Sequence, residues 1–439
     1  MGRMERERVV RDPLWNTVRV DPTAVRIMDT PAFQRLRYIR QLGFTHLVYP
    51  GATHTRFDHA VGVYHLARTA LRLLRDRCPE PREAWEGEEL IPYAALLHDI
   101  GHYAFSHALE ELEGDRFPGD HEAVSRQFFE SPELEEALAP LGPGAGERIH
   151  DVIRGGSSLP LAGLVSGSLD LDKMEYLRRD ARFCGVPYGE VDVDRLLQGL
   201  TLLRDPESGR WEVGVEEKAV SALESVLFAK YQMFRNVYWH HAVRAATALY
   251  KRIVQESVRR GVLEPGELVG PTDEELLYEI GRRAHGHADE TVRRMGERWL
   301  PALRNRRLPK RVVEITAAEM EGRHPPVWLG RDTERKRRLE ERLARHAGVP
   351  EGELMVDYPA KSAMLELDLL IQRRDGTVER LGPGGAPGLI DLPRVARELY
   401  QSSRVLRVFT LEPSDLSADA VLQAVLGEEG AGNTPQEAG

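Results

Sequence analysis

The chain has 439 residues, of which 41% are hydrophobic and 30% charged, and carries a formal net charge of -10. That length supports two or three hydrophobic cores, or one large domain with an appended lobe. No run of about 18 apolar residues occurs, which excludes a helical membrane span. The acidic balance argues against nucleic acid as a partner, since a duplex binder carries a basic footprint.

Reading from the N-terminus, MGRMERERVV is charged from the start and lacks the apolar stretch of a secretory signal. Arg6 stands where a myristoylation motif requires Ser or Thr. Two cysteines, Cys78 and Cys184, cannot build a disulfide framework or a thiolate metal cluster. The reading is therefore a cytoplasmic protein with reduced thiols. Lysine is confined to Lys173, Lys218, Lys230, Lys251, Lys310, Lys336 and Lys361, and arginine carries the remaining positive charge.

From about Asp21 to Arg260 the pattern is mostly helical. Val63, Leu66, Ala67, Ala70, Leu71 and Leu74 recur at three- and four-residue spacing, as on a buried helix face. Residues 90–112 read as two helices broken near Gly101. A further helix is expected from about Ser168 to Phe183, ending before Gly185-Val186-Pro187. A long one is expected from about Glu216 to Arg259. The last third changes character: residues 311–316, 363–372 and 405–411 are strand-like. Residues 373–377 read as a turn between two strands, and the Pro- and Gly-rich residues 381–388 as a loop. The expected fold is mainly α, with a helical core over residues 1–300 and a smaller C-terminal α/β lobe over residues 301–426. Residues 427–439 are small and polar and read as a disordered tail.

Six of the fifteen histidines fall between His54 and His107. The segment ALLHDIGHYAFSHALEE is the most informative in the chain. On a helix the adjacent side chains of His98 and Asp99 diverge by roughly 100°, yet both can reach one ion beside it. Imidazole and carboxylate suit a divalent cation such as Zn, Fe, Mn, Ni or Mg. His59 in RFDHAVG and Asp172 in SLDLDKMEYLRRD are candidate third and fourth ligands. An isolated His-Asp pair on a helix is usually a surface pair or a satisfied core hydrogen bond. Here apolar Ala94 to Leu97 precede the pair, so burial is expected, and buried polar groups need partners.

RFDH, LLHDIGH and DLDK, in this order, resemble the signature of the HD-domain metal-dependent phosphohydrolases. DTPAFQRLRYIRQLG, YPGATHTRFDHAVGVYHLA, HDIGHYAFSHALE and LDLDKMEYLRRD are similar to the deoxynucleoside triphosphate triphosphohydrolases within that group. The resemblance spans about residues 8–320 and fits bacterial homologues that lack a sterile-alpha-motif domain. It implies one divalent metal held by His59, His98, Asp99 and Asp172, with Mg accompanying the nucleotide triphosphate. It implies His102, His107 and His121 as catalytic-site histidines. Glu110, three residues after His107, would be the acidic partner that orients its imidazole, where the family usually has Asp. Arg56, Lys173, Tyr176 and Asp180 match substrate contacts. Asp172, Tyr176 and Asp180 fall on one stripe of a helix, where Tyr176 is equally suited to core packing.

Lys230, Phe234 and Tyr238 are again spaced by four. The resemblance makes Lys230 a phosphate contact and Tyr238 a sugar-stacking residue, and Phe234 replaces a His of the family. A solvated helix face is the plainer role for Lys230. Gln41 and Leu42 match residues that meet the 3′-OH and crowd the 2′ position. The family's activator-nucleotide contacts fall on Asp29, Gln34, Arg37, Arg8, Lys218, Arg306, Leu308 and Lys310. Asp29 and Arg37 could equally form an ordinary structural pair. Arg11 and Glu216 depart from the family pattern there.

The implied activity is hydrolysis of dNTPs to deoxynucleoside and inorganic triphosphate, by a homo-oligomer (dimer or tetramer) subject to a dNTP or NTP activator. Two alternatives stand beside it. One is another HD-type nucleotide phosphohydrolase, such as a monophosphate nucleotidase. The other is a non-catalytic nucleotide sensor or nucleic-acid-binding protein.

Overall fold

A computed structural model describes residues 7–112, 117, 119–320, 325–359, 368–382, 385 and 391–427. Two compact units share the chain. The first comprises Met1–Ser106, Asp120–Phe234 and Ala363–Arg397, and the second His107–Gly119, Arg235–Ser362 and Glu398–Gly439. The two units exchange segments, whereas the expected division at residue 300 follows the chain. Among the described residues nine strands occur: β1 Arg8–Asp12, β2 Asn16–Val20, β3 Leu200–Arg204, β4 Trp211–Glu216, β5 Lys310–Thr316, β6 Leu354–Asp357, β7 Leu369–Gln372, β8 Val378–Leu381 and β9 Val405–Thr410.

The first unit is built on helices α1 (Arg56–Arg77), α2 (Ile91–Leu97), α3 (His121–Phe129), α4 (Leu171–Cys184) and α5 (Val220–Met233). Helix α1 starts at a capping box: Asp58 accepts from the Thr55 peptide N–H at 2.9 Å, and Thr55 caps the Asp58 N–H at 3.4 Å. Its apolar stripe is buried at Val63, Leu66, Ala67, Ala70 and Leu74, each at most 1% exposed, whereas Leu71 is only half-buried. Helix α4 starts on the Asp170 cap and ends at Gly185, whose φ of 68° closes it in the left-handed region. Both limits agree with the sequence to within three residues. The hairpin β1-β2 stands alone, and β3-β4-β7-β8 form a four-stranded sheet in which β4 and β7 run parallel.

Three expectations are corrected here. Residues 90–112 do not make two helices. Helix α2 stops at Leu97, and beyond Gly101 only one 3-10 turn forms, over Ser106–Ala108. The Arg35 guanidinium takes the carbonyls a helix would need, donating to Ile100 O at 2.7 Å and His102 O at 2.9 Å. Phe105 and Ser106 then turn through positive φ, a conformation non-glycine residues rarely adopt. The long helix over residues 216–259 is broken as well: a π turn spans Phe234–Tyr238 before α6 (His241–Arg259) begins. That turn ends the four-residue stripe through Lys230, Phe234 and Tyr238. Strands β3 and β4 also interrupt a stretch read as helical, because Leu200, Thr201, Leu202 and Leu203 form a strand buried at each of those positions.

The second unit bears out the expected α/β lobe. Strands β5-β9-β6 form an antiparallel sheet, and α7 (Thr333–Ala347) packs on it through Leu339, Leu343 and Ala344. The expected turn at residues 373–377, in the first unit, forms between β7 and β8, closed by Arg373 N–H to Thr377 O at 2.8 Å. Residues 363–367 of an expected strand, most of the expected 381–388 loop and residues 428–439 of the expected tail lie outside the described residues.

One ionic cluster ties the second unit together. Arg244 on α6 grips Glu111 through two bonds of 2.8 and 2.9 Å and Asp357 on β6 through a 2.8 Å bond. Lys251 reaches Glu111 at 2.6 Å. Lys336 on α7 is buried near this cluster, and burial together with the Lys251 charge lowers its pKa to about 8. Below about pH 8 it is a cation in both the folded and unfolded states, and the cost of burying it is fully present. Between about 8 and the ordinary 10.5 the folded state releases its proton first, so stability rises with pH. Lys336→Met should therefore stabilise the protein at pH 7, by on the order of 3 kcal/mol at most. The gain should shrink towards pH 10. Denaturant titrations at the two pH values check this, and a gain independent of pH would contradict it.

Candidate metal centre

Four side chains from three segments of the first unit converge. His59 lies one turn into α1, where the capping box fixes the helix start. His98 and Asp99 follow the last turn of α2, and Asp172 lies in the first turn of α4. His59 Nε2 is 2.9 Å from Asp172 Oδ1, 3.2 Å from His98 Nε2 and 3.7 Å from Asp99 Oδ2. His98 Nε2 is 3.3 Å from Asp99 Oδ1 and 3.6 Å from Asp172 Oδ1. The ligand atoms of His59, His98 and Asp172 all lie within 4.8 Å of one another, and Asp99 borders that group.

The donor set fits a divalent cation. His98 Nδ1 faces the Ala95 carbonyl at 2.8 Å. A carbonyl only accepts, so Nδ1 carries a hydrogen, and Nε2 is the ring atom turned to the centre. His59 is wholly buried between carboxylates. Burial opposes a charge on it, but hydrogen bonds to Asp172 and Glu175 outweigh that and raise its pKa to about 10. The carboxylates thus call for positive charge at the point where the imidazole nitrogens meet. Carboxylate and imidazole donors suit a borderline or hard divalent ion.

Asp99 is also held from its other side. Arg56, itself buried, donates to Asp99 Oδ2 at 2.7 Å and to Ser106 Oγ at 3.0 Å. Burial opposes ionisation of Asp99, but Arg56, His98 and His102 together hold its pKa well below the usual carboxylate range. His102 Nε2 lies 3.0 Å from Asp99 Oδ1, and its ring stacks on His121 at 3.9 Å. Burial, with the Arg56 and His121 charges, pushes the His102 pKa well down, so its ring is neutral at pH 7. The stacking requires α3 to approach closely. A Cβ on Gly101 would lie 2.0 Å from His121 O and 2.7 Å from the Ser125 nitrogen, so no larger residue fits there.

The other sequence-predicted residues divide between the units. In the first, the Tyr176 ring is 6.5 Å from that of His59. Gln41 and Asp180 meet through His54: the Gln41 N–H donates to His54 O at 3.0 Å, and His54 Nε2 is 2.8 Å from Asp180 Oδ1. Leu42 follows Gln41 and is half-buried. Lys173 is ion-paired with Asp170. Lys230 is buried on α5, which packs against α4, with its ammonium 5.9 Å from the Phe234 ring centre. In the second unit His107 Nδ1 lies 2.7 Å from Glu110 Oε2, the partnership expected from their spacing. Tyr238 also belongs to the second unit.

Of the expected activator contacts, Arg8 pairs with Asp29 at 3.1 Å. Gln34 donates to Met28 O at 2.7 Å and accepts from Arg37 at 2.9 Å, and the Arg37 guanidinium lies over the Phe57 ring. An Asp29–Arg37 pair is thus replaced by two others. Lys218 is exposed and paired with Glu216. Arg306 and Lys310 lie in the second unit with buried Leu308.

Residues 56–154 match the HD domain, and residues 191–383 the HD-associated region. Over these residues the chain is similar to the HD-domain proteins, and the HD match contains His59, His98 and Asp99. The chain is 34% identical over 261 residues to the uncharacterized protein YwfO of Bacillus subtilis, across 58% of this chain and 57% of that one. It is 32% identical over 265 residues to the deoxynucleoside triphosphate triphosphohydrolase SAMHD1 of Gallus gallus, across 53% and 42%. The match thus spans about half the length of these curated relatives. A phosphohydrolase from Bacteroides thetaiotaomicron shares the fold, with a TM-score of 0.68 and 20% identity over 92% of this chain and all of that one. A hypothetical protein from Aquifex aeolicus does so with a TM-score of 0.65 and 24% identity over 92% and 96%. No helix among the described residues is long and apolar enough to cross a membrane.

Sequence reasoning did not single out Glu175, Arg179, Asp12 or Trp15, all of which stand behind His59. Their signal was weak, because a Glu and an Arg four apart on a helix resemble a surface pair.

Replacing His98 and Asp99 together by Ala should remove bound divalent metal, read by elemental analysis of the purified protein, with the helical circular dichroism retained. Wild-type metal content in the doubly substituted protein would exclude this centre.

Proposed function

We propose that the protein hydrolyses deoxynucleoside triphosphates to deoxynucleoside and inorganic triphosphate. The observation that carries the reading is the convergence of His59, His98, Asp99 and Asp172 within an HD domain. The 32% identity over 265 residues to a deoxynucleoside triphosphate triphosphohydrolase supports the substrate class. A divalent cation held by His59, His98, Asp99 and Asp172, with Mg accompanying the nucleotide, would supply Lewis acidity at a phosphoryl oxygen and activate water.

The chain's own residues do the rest. Arg56 holds Asp99 ionised and oriented, and with Lys173 and Lys230 opposes the charge of the polyphosphate. Arg56 and Lys173 are already paired with Asp99 and Asp170, so they position their carboxylates as well as attract phosphate. Neutral His102, stacked on His121, is suited to hydrogen-bond a phosphoryl oxygen. His107 serves as the general acid at the leaving 5′-oxygen, with Glu110 fixing its tautomer. Gln41 and Asp180, linked through His54, read the 3′-hydroxyl. Leu42 and Tyr238 crowd the 2′ position, and Tyr176 lies against the sugar. Three cationic positions favour a triphosphate over a monophosphate, and the intact donor set favours an enzyme over a sensor.

His107→Ala should keep its metal and lose about 10²-fold or more in turnover, the usual contribution of a general acid. Glu110→Gln should lose less. Loss of metal with His107→Ala would make His107 a ligand and overturn the assignment. Deoxynucleotides should be hydrolysed much faster than ribonucleotides, with intact triphosphate as the first product on anion-exchange chromatography.

Regulation by a second nucleotide belongs to the same reading. Arg8, Asp29, Gln34 and Arg37 in the first unit, with Lys218, Arg306 and Lys310, provide charge and base-reading groups for an activator. The protein is then a homo-oligomer, dimer or tetramer, whose rate on one dNTP rises when dGTP or dATP is added. Steady-state rates measured alongside light scattering check this. A monomer with a flat response at millimolar effector would end the regulatory part alone.

A further inference from the structure

Behind the metal centre, His59 is backed by a buried polar network. Its Nδ1–H donates to Glu175 Oε2 at 2.6 Å. The other oxygen, Oε1, accepts from Trp15 Nε1 at 2.9 Å and from Arg179 Nε at 2.7 Å. Arg179 Nη2 continues to Asp12 Oδ2 at 2.9 Å. Asp12 Oδ1 in turn accepts the peptide N–H groups of Leu14 and Trp15, each at 2.8 Å, and closes the β1-β2 turn. His59, Glu175 and Arg179 are 0% exposed and Asp12 is 8% exposed. The chain keeps space for this network at Gly62 of α1, where a Cβ would fall 2.0 Å from Glu175 Oε1 and 2.8 Å from Arg179 Nη2.

Such a network is costly to build, because a buried carboxylate and guanidinium must each be satisfied. A Gly in mid-helix also costs about 1 kcal/mol relative to Ala. Packing alone would be met by apolar side chains at less cost. What the arrangement delivers is a single ring orientation for His59, with Nδ1–H held by Glu175 and Nε2 presented to the centre. Outer carboxylates of this kind orient ligating imidazoles and raise their basicity.

We propose that Glu175 is the positioning residue of the metal centre, held by Trp15, Arg179 and Asp12 and given room by Gly62, and that it sets the affinity of the site for its divalent cation. This rests on the metal-centre reading and on no assumption about the substrate.

The test uses the full chain, stripped of metal and titrated with Mn²⁺ or Zn²⁺ against a chromophoric chelator. It is paired with ¹⁵N spectra of the His59 ring. Glu175→Gln keeps the shape but removes the charge and the fixed acceptor. It should weaken metal binding by about 10- to 100-fold and move the ¹⁵N shift of His59 Nδ1, whose carboxylate acceptor it replaces. Gly62→Ala is the second variant. It favours the helix by propensity, and the obstructing atom is the far end of a flexible side chain, so the fold should survive while Glu175 is displaced. It should weaken metal binding in the same direction while the helical circular dichroism is retained. A Glu175→Gln protein that fails to fold leaves Gly62→Ala to decide. Wild-type affinity together with wild-type ¹⁵N shifts in a folded variant would overturn the proposal. If the unsubstituted protein binds no divalent cation, the metal-centre reading fails first.

Discussion

Burying carboxylates against imidazoles is the constraint on which the first unit is organised. Asp99 and Glu175 are almost without solvent contact, and an ionised carboxylate is tolerated in such a place only with charge and hydrogen bonds around it. Arg56 answers Asp99, Arg179 answers Glu175, and His59 lies between the two. The capping box of α1, the early stop of α2 and the Asp170 cap of α4 then fix the angles at which these groups meet. The glycines at 62 and 101 are the space these approaches require. The result is a centre with more negative than positive charge, which a divalent cation would complete.

The second unit solves a similar problem with a different outcome. Its Glu111, Arg244, Lys251 and Asp357 neutralise one another inside the unit. Glu111 directly follows the His107–Glu110 pair, so the segment bearing the expected acid is tied to α6 by a charged anchor. No ligand is called for there, because both carboxylates already have their cations. The comparison separates a structural ionic cluster from a site: charges in the first are paired among themselves, whereas nitrogen lone pairs and carboxylates in the second converge on one point.

Much of the site was legible in the sequence because its residues lie in short segments. His98 and Asp99 are adjacent, His59 follows a cap signal and Asp172 opens a helix, so motif and local geometry carry the same information. Helices α1 and α4 were readable for the same reason, through an apolar period and a closing glycine. The failures have a common cause, namely long-range contacts that no local pattern reports. Arg35 reaches across some 65 residues to take the carbonyls after α2, and this replaces the helix that apolar spacing suggested. The π turn at Phe234–Tyr238 breaks a segment with no Pro or Gly to announce it. Glu175 was missed because its partners His59 and Trp15 are 116 and 160 residues away.

The central proposal is hydrolysis of a dNTP by attack of water on the α-phosphorus, with cleavage of the bond to the 5′-oxygen. Turnover of dGTP in H₂¹⁸O, followed by mass spectrometry of both products, tests it most directly. The account predicts one ¹⁸O in the released triphosphate and none in the deoxyguanosine. Label in the nucleoside, or label first appearing in orthophosphate or pyrophosphate, would contradict it.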